Sequence, residues 1–540
     1  MKTIIKKYFY IPFLAVFLSA CNNDLTEITY SDVATSTYTF AEPYGAMGIV
    51  YAKMRNNFSH TDWFIVQETS SDEMCHPANA SGWDDGGIYK RMHLHTWNSE
   101  NVQMNNMWNN IYSGVLSANR VIGQLKSGQI PTVTGVTSAS LISEMKVIRA
   151  LYFWQLMDNF GDVPLDTATT ASAISNPTML PTTPRKDIYN FVVSEITQAI
   201  PSLSEENNKQ MYGRFNKWAA KTLLANIYLN AKVYINEPKW AECLTQCDDV
   251  IASGKYILED NYKTNFITEN QTSKENVFTV PFDEKVGTGF FPQMFSWNGN
   301  FQAKVDMKAT PWGFGAVMGV PQFIDTYDPA DTRLNDTWLI GQQYKLNGDK
   351  IKASDNTDFV LVNSLPDGLY TNEKEGVRMN KFEVKVGALS NLGNDFPLFR
   401  YAKVLMMKAE CLLRNGNADG AAAIVTQVRQ RSFKSNPGKA IVTGAQLLGN
   451  SRYKYGYVEK YNIVDPGNQG AVQFGGFLDE LGWEFAWEGH RRIDNIRFGV
   501  FTSKSWLSHK PNGDFRSVFP IPQPALNANT LLKQNPAYAL

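Results

Sequence analysis

Cysteine is scarce: the chain has five in 540 residues, and Cys75, Cys243, Cys247 and Cys411 follow Cys21 without a paired spacing. No disulfide framework is implied. Cys243 and Cys247 stand one helical turn apart, which reads as small buried thiols on a packed helix face. Blocks of Lys or Arg are missing and the formal net charge is -1, which argues against nucleic acid or an acidic lipid surface as partner. Only six histidines occur. His93 and His95 could share one side of a strand, but no further His or Cys stands nearby at ligand spacing, so no metal is expected. A phosphate-cradling glycine loop, a nucleophile elbow and a zinc-protease helix motif are all lacking. No cofactor is expected either.

A single long apolar run is present, Tyr8 to Leu18, and it falls short of the roughly 20 apolar residues that span a hydrocarbon core. Lys2, Lys6 and Lys7 precede it, and Leu18-Ser19-Ala20-Cys21 closes it with small residues before a cysteine. This pattern is a secretory signal over residues 1–20 with a lipobox. Cys21 is then the lipid-attachment site, several acyl chains make anchoring nearly irreversible, and residues 21–31 form a polar tether.

The whole chain is 43% hydrophobic and 19% charged, enough for sizeable cores. Residues 141–162 read as one amphipathic helix ending in Phe160-Gly161-Asp162-Val163-Pro164-Leu165. Met145, Ile148, Tyr152, Leu156 and Phe160 recur at helical spacing, Gly161 can supply a left-handed cap, and Pro164 cannot continue the helix. Arg149 and Asp158 sit off this stripe. Further helices are expected over 40–57, 102–126, 186–201, 215–235, 238–253, 398–415, 418–434 and 475–496. The pairs at 215–253 and 398–434 look alike, with small residues at close-approach positions, and resemble tetratricopeptide-like helical hairpins. Between 255 and 397 the pattern changes to short extended segments separated by Gly, Pro and Asn. This predicts an irregular, loop-rich lobe with short strands, long enough to be functional and too aromatic to be disordered.

The 141–165 junction resembles the signature of the SusD/RagB family of outer-membrane nutrient-binding lipoproteins. Trp108-Asn109-Asn110-Ile111-Tyr112 with Ala118-Asn119-Arg120, Tyr212-Gly213-Arg214 before the Trp218 helix, and Phe399-Arg400-Tyr401 through Lys408-Ala409-Glu410 are similar to further family segments. Leu481-Gly482-Trp483-Glu484-Phe485-Ala486-Trp487-Glu488-Gly489 with Arg491, Arg492 and Asp494 resembles its C-terminal box, and Phe519-Pro520-Ile521-Pro522 with Gln534-Asn535-Pro536 its ending. The resemblance implies a mainly α fold in one body over 32–540. Helical repeats would occupy about 40–254 and 398–434, a ligand-binding lobe about 255–397, and the family box 475–540. It also implies a surface-exposed outer-membrane lipoprotein that binds oligosaccharide or polysaccharide and delivers it to a SusC-like TonB-dependent transporter. An oligopeptide-binding lipoprotein on the same scaffold and a protein-interaction scaffold are the alternatives.

An enzyme reading needs two carboxylates acting as acid and base. Glu484 and Glu488 lie one helical turn apart among arginines, where charge pairing is the simpler account, and Asp84-Asp85-Gly86-Gly87 reads as a turn. No catalytic residue is assigned. Binding is better served. Sugars present flat C–H faces edged by hydroxyls, which exposed aromatic platforms and polar side chains can hold. Trp83, Trp297 and Trp312 each stand among turn residues and are the candidate platforms. Asp72, Asp84 and Arg378 are the candidate polar partners through charge-assisted hydrogen bonds. In starch-binding relatives a tryptophan shortly after the early Asp-Glu stacks on glucose and an Asn follows. Trp83 fits that place, but Gly86 stands where the amide is expected, which argues against starch itself.

Overall fold

The helix read from residues 141–162 runs Ser138–Phe160, capped by the Thr137 hydroxyl, which accepts from Ser140 N at 3.1 Å. It is buried on nearly every face, as expected of a helix inside a large protein rather than on its surface. Arg149, outside the apolar stripe, is buried as well. It donates to both Glu195 oxygens (2.9 and 2.6 Å) and to Asn119 Oδ1 (2.7 Å), tying three helices together. Gly161 ends the helix at φ +73 and ψ -110, so it has the positive φ but not the left-handed helical ψ, and glycine alone takes that conformation at little cost. Gly114 on the neighbouring helix allows close approach, because a Cβ there would stand 2.3 Å from the Tyr152 ring.

The computed structural model describes residues 42–79, 84–175, 178–313 and 315–538; the lipobox, the 21–31 tether and Trp83 lie outside them. The fold is mainly α. Val102–Lys126 packs antiparallel on Ser138–Phe160, which Arg185–Ala199 covers in turn. Lys217–Leu229 and Trp240–Ala252 form the next hairpin, and Tyr401–Arg414 packs across both before pairing with Ala418–Arg429. The stack thus continues across the 255–397 segment. Cys243, Cys247 and Cys411 are buried free thiols in these stacked hairpins.

Several expected helices differ: residues 215–235 form Lys217–Leu229 and Ala231–Ile235, and residues 40–57 form Pro43–Ala52 followed by the 3-10 segment Lys53–Phe58. Residues 396–400 form a strand, Phe396–Arg400, before the helix begins at Tyr401. It pairs antiparallel with Asn276–Val280, Phe396 facing Val280 and Arg400 facing Asn276. Long-range pairing of ten buried residues overrides local helix preference here. The 475–496 segment is two helices, Gly475–Phe485 and Arg491–Arg497, separated where Trp487 and Gly489 take φ of +65 and +75. His93 and His95 are not on a strand: His93 closes the helix Ile88–His93 and His95 follows at φ +52.

Beyond Asn276–Val280, the lobe consists of turns, helices of four to six residues such as Pro292–Ser296 and Thr332–Thr337, and two-residue strands. Met318–Gly319 pairs with Met74–Cys75, Tyr370–Thr371 with Ala78–Asn79, and Arg378–Met379 with Trp338–Leu339. Beneath it lies a fully buried charge network. The Glu484 carboxylate accepts from Arg333 Nη1 (3.2 Å), Arg400 Nη1 (3.1 Å) and Arg431 Nη2. Glu488 pairs with Arg400 and Lys381, Glu275 with Arg400 and Arg431, and Asp331 and Glu480 with Arg333 and Arg429. Burial pushes the Glu484 carboxyl up, but Arg431, Arg400 and Arg333 outweigh it and hold it at about 2. The pairing expected along one helix face is therefore a three-dimensional network, and Arg491 takes no part with Glu484; it pairs with Asp72 instead.

Candidate functional site

Trp312 stands in a turn between buried Pro311 and Gly313, the latter at φ +56, and its backbone N–H donates to Met294 O at 2.7 Å. Its ring packs edge-on against His60 (centroids 5.2 Å apart, 76°) and tilts against Phe291 (5.7 Å) and Phe295 (6.5 Å). One side is thus braced by three rings, while 37% of the residue stays exposed. No hydrogen bond among the described residues uses its indole N–H, so the partly exposed residue keeps an unused donor.

His60 is placed by Tyr89, whose hydroxyl donates to His60 O at 2.5 Å and whose ring stacks on His76 at 4.0 Å. Partial burial lowers the His60 imidazole below its ordinary value, and the charge of Asp85 offsets this in part. Asp84 is exposed, and its side chain accepts from Gly86 N at 3.1 Å, making the expected turn; Gly86 and Gly87 follow at φ +64 and +72. His60 and Phe291 thus both pack against the Trp312 ring. Trp83, immediately before this turn, is outside the described residues. Sequence reasoning missed His60 and Phe291. Phe290-Phe291-Pro292 carried a signal, since one ring of the pair fills the core and the next is left half-buried; His60 carried none.

Three expectations are corrected by burial. Asp72 is wholly buried and its carboxylate is saturated: Oδ1 accepts from Arg491 Nε and Asn495 Nδ2, both at 2.7 Å, and Oδ2 from Arg491 Nη2 (3.0 Å) and the Tyr455 hydroxyl (3.3 Å). It locks the Ser70–Glu73 region to the C-terminal Arg491–Arg497 helix and has no lone pair left for a ligand. Trp297 is 2% exposed and its indole N–H donates to Met379 O at 2.7 Å, so it plugs the lobe's core. Arg378 is wholly buried, donating to Gly376 O at 2.6 Å, and burial lowers its guanidinium to about 10. Of the five expected contact residues among the described residues, Trp312 and Asp84 reach solvent.

Two family descriptions match the chain: "Starch-binding associating with outer membrane" over residues 33–229 and "SusD family" over residues 256–538. The SusD-like protein P25 of Formosa agariphila is 22% identical over 81% of this chain and 80% of its own length. The starch-binding protein SusD of Bacteroides thetaiotaomicron is 23% identical over 75% of this chain and 74% of its own. Among solved structures, surface glycan-binding protein A from Bacteroides thetaiotaomicron aligns with a TM-score of 0.67 at 18% identity, covering 92% of this chain and 98% of that one. A laminarin-binding SusD-like protein gives 0.67 at 19%, covering 93% and 100%. With just over half of its residues matched by the SusD description alone, and the stacked hairpins of that fold present, the chain belongs to the SusD/RagB family.

Proposed function

We propose that this chain is a non-catalytic glycan-binding lipoprotein of the outer membrane, anchored through Cys21, that delivers oligosaccharide to a SusC-like TonB-dependent transporter. The observation that carries the binding half is Trp312, braced by three rings and still 37% exposed. A ring held rigid by His60, Phe291 and Phe295 offers a sugar face a platform with little ordering entropy left to lose on binding. Asp84 is an exposed carboxylate that can accept from a sugar hydroxyl, and Trp83 precedes it in the chain. The names of the relatives, starch-binding and laminarin-binding among them, support the same ligand class. The non-catalytic half is supported by Glu484 and Glu488, which are consumed by arginine and lysine partners away from solvent.

The test is isothermal titration of the soluble form, starting after Cys21, against plant, microbial and host glycans with an oligopeptide pool beside them. Trp312→Ala is expected to weaken glycan binding about tenfold or more, equivalent to about 1.4 kcal/mol, and the Trp83→Ala/Trp312→Ala pair to abolish it. Tm should move little, because an exposed turn residue carries little of the fold. Retained affinity in the double variant would remove this surface from consideration; heat from peptides with silence on glycans would assign the scaffold to peptide uptake, and release of reducing ends would indicate a hydrolase. Separately, Cys21→Ser should move the protein from the outer-membrane fraction to the soluble one, and a variant that still sediments with membranes would refute the anchor.

A further inference from the structure

Behind the Trp312 turn lies a pocket of about 610 Å³, open to solvent and lined by Asn300, Gln302, Asp306, Lys308, Lys345 and Lys352 among others. That volume is within the roughly 300–1,000 Å³ typical of small-molecule sites. The pocket and the aromatic surface share a wall: Gly299 N donates to Gly313 O at 3.0 Å, and the Thr310 hydroxyl donates to Gln302 Oε1 at 2.8 Å. A chain of sugar units resting on Trp312 thus has a polar recess within reach of a neighbouring unit.

The charge of this recess is unlike that of the whole chain, which is close to neutral. Lys352 is paired with Asp358 at 2.6 Å, and that same carboxylate also serves Lys350. Lys308 and Lys345 have no carboxylate within salt-bridge distance among the described residues, so two of the three lining lysines keep their charge uncompensated. Asp306 is the one acidic side chain among the lining residues. Two unpaired ammonium groups across a recess that also offers amide side chains make a binding place for an anion flanked by hydroxyls. Lysine in particular acts there as a flexible point charge, matching an anionic group borne on a variable sugar rather than one fixed geometry.

We infer that the pocket of Lys308, Lys345 and Lys352 receives the anionic group, a uronate carboxylate or a sulfate ester, of an acidic glycan whose adjoining unit lies on Trp312. This rests on the glycan-binding reading of Trp312 and adds the substrate class to it.

The test uses the soluble form after Cys21 with four probes: an oligogalacturonide, its fully methyl-esterified counterpart, a sulfated galactan oligosaccharide, and a neutral glucan oligosaccharide. The expected result is binding of an acidic probe that weakens as salt is raised, and that falls about tenfold in Lys308→Ala/Lys345→Ala but is kept in Lys308→Arg/Lys345→Arg. Preference between the oligogalacturonide and the sulfated probe names the anion, and either supports the inference. Equal binding of the oligogalacturonide and its methyl ester, or undiminished binding by the double alanine variant, overturns the acidic-glycan assignment while leaving the glycan reading intact. Neutral glucan binding alone does the same. Silence on all four probes overturns both.

Discussion

Replacing Glu484 by glutamine is expected to lower the unfolding free energy by about 3–5 kcal/mol, measured by urea denaturation at neutral pH. Glu484 sits at the centre of a network in which Arg333, Arg400, Arg429, Arg431 and Lys381 face Asp331, Glu275, Glu480, Glu484 and Glu488, five charges of each sign, all shielded from water. Glutamine keeps the shape but leaves one buried cation uncompensated, and it turns an amide N–H₂ toward a guanidinium. The carboxyl's own titration gives the same scale: held at about 2 against an ordinary 4.5, it contributes on the order of 3 kcal/mol at about 1.4 kcal/mol per unit. Because the folded value is depressed, that contribution is present above about pH 4.5 and is lost as pH falls toward about 2. Asp358→Asn is the matched control, since its pairs with Lys350 and Lys352 are exposed and worth at most about 1 kcal/mol. A Glu484→Gln loss no larger than the control's would mean that the network does not hold its charges as described.

The second large effect has the opposite sign. Asp62 is wholly buried; it caps the Trp63–Thr69 helix by accepting from Trp63 N at 2.8 Å and takes a short hydrogen bond from the Asn110 amide. Burial raises its carboxyl to about 7, with those two donors only partly offsetting the cost. A folded value raised above the unfolded value of about 3.9 means full stability below about pH 4, lost as pH climbs to about 7. Asp62→Asn should therefore be more stable than the wild type by about 4 kcal/mol near pH 8, with the gap closing near pH 4. The Asn110 side chain can turn its oxygen toward the new amide, so the bond survives the change. Stability curves for both proteins across this range decide it, and a gap that stays constant with pH would refute the assigned titration.

How much of this could be read from the residues varies with the range of the interactions involved. The helices were legible because their apolar spacing is local: the Met145, Ile148, Tyr152, Leu156 and Phe160 stripe is where it was expected, and every member is buried. The strand at Phe396–Arg400 was not, since its partner lies more than a hundred residues earlier and nothing in Phe-Pro-Leu-Phe-Arg announces it. Trp297 and Trp312 have similar turn-rich surroundings in sequence, yet one is 2% exposed with its indole bonded to the Met379 carbonyl and the other stays 37% exposed. The difference is made by a contact 82 residues away. Asp72 misled for a related reason. Its loop position suggested exposure, while Arg491 and Asn495, from the far end of the chain, close over it.

The antiparallel pair formed by Asn276–Val280 and Phe396–Arg400 brings the entrance and the exit of the irregular lobe side by side. A segment whose two ends are already clamped can grow or shrink at small entropic expense, about 0.6 kcal/mol for each doubling of a flexible loop. The helical stack on either side then acts as a fixed chassis, and the lobe as an exchangeable cartridge in which a new sugar preference can be tried without renegotiating the rest of the molecule.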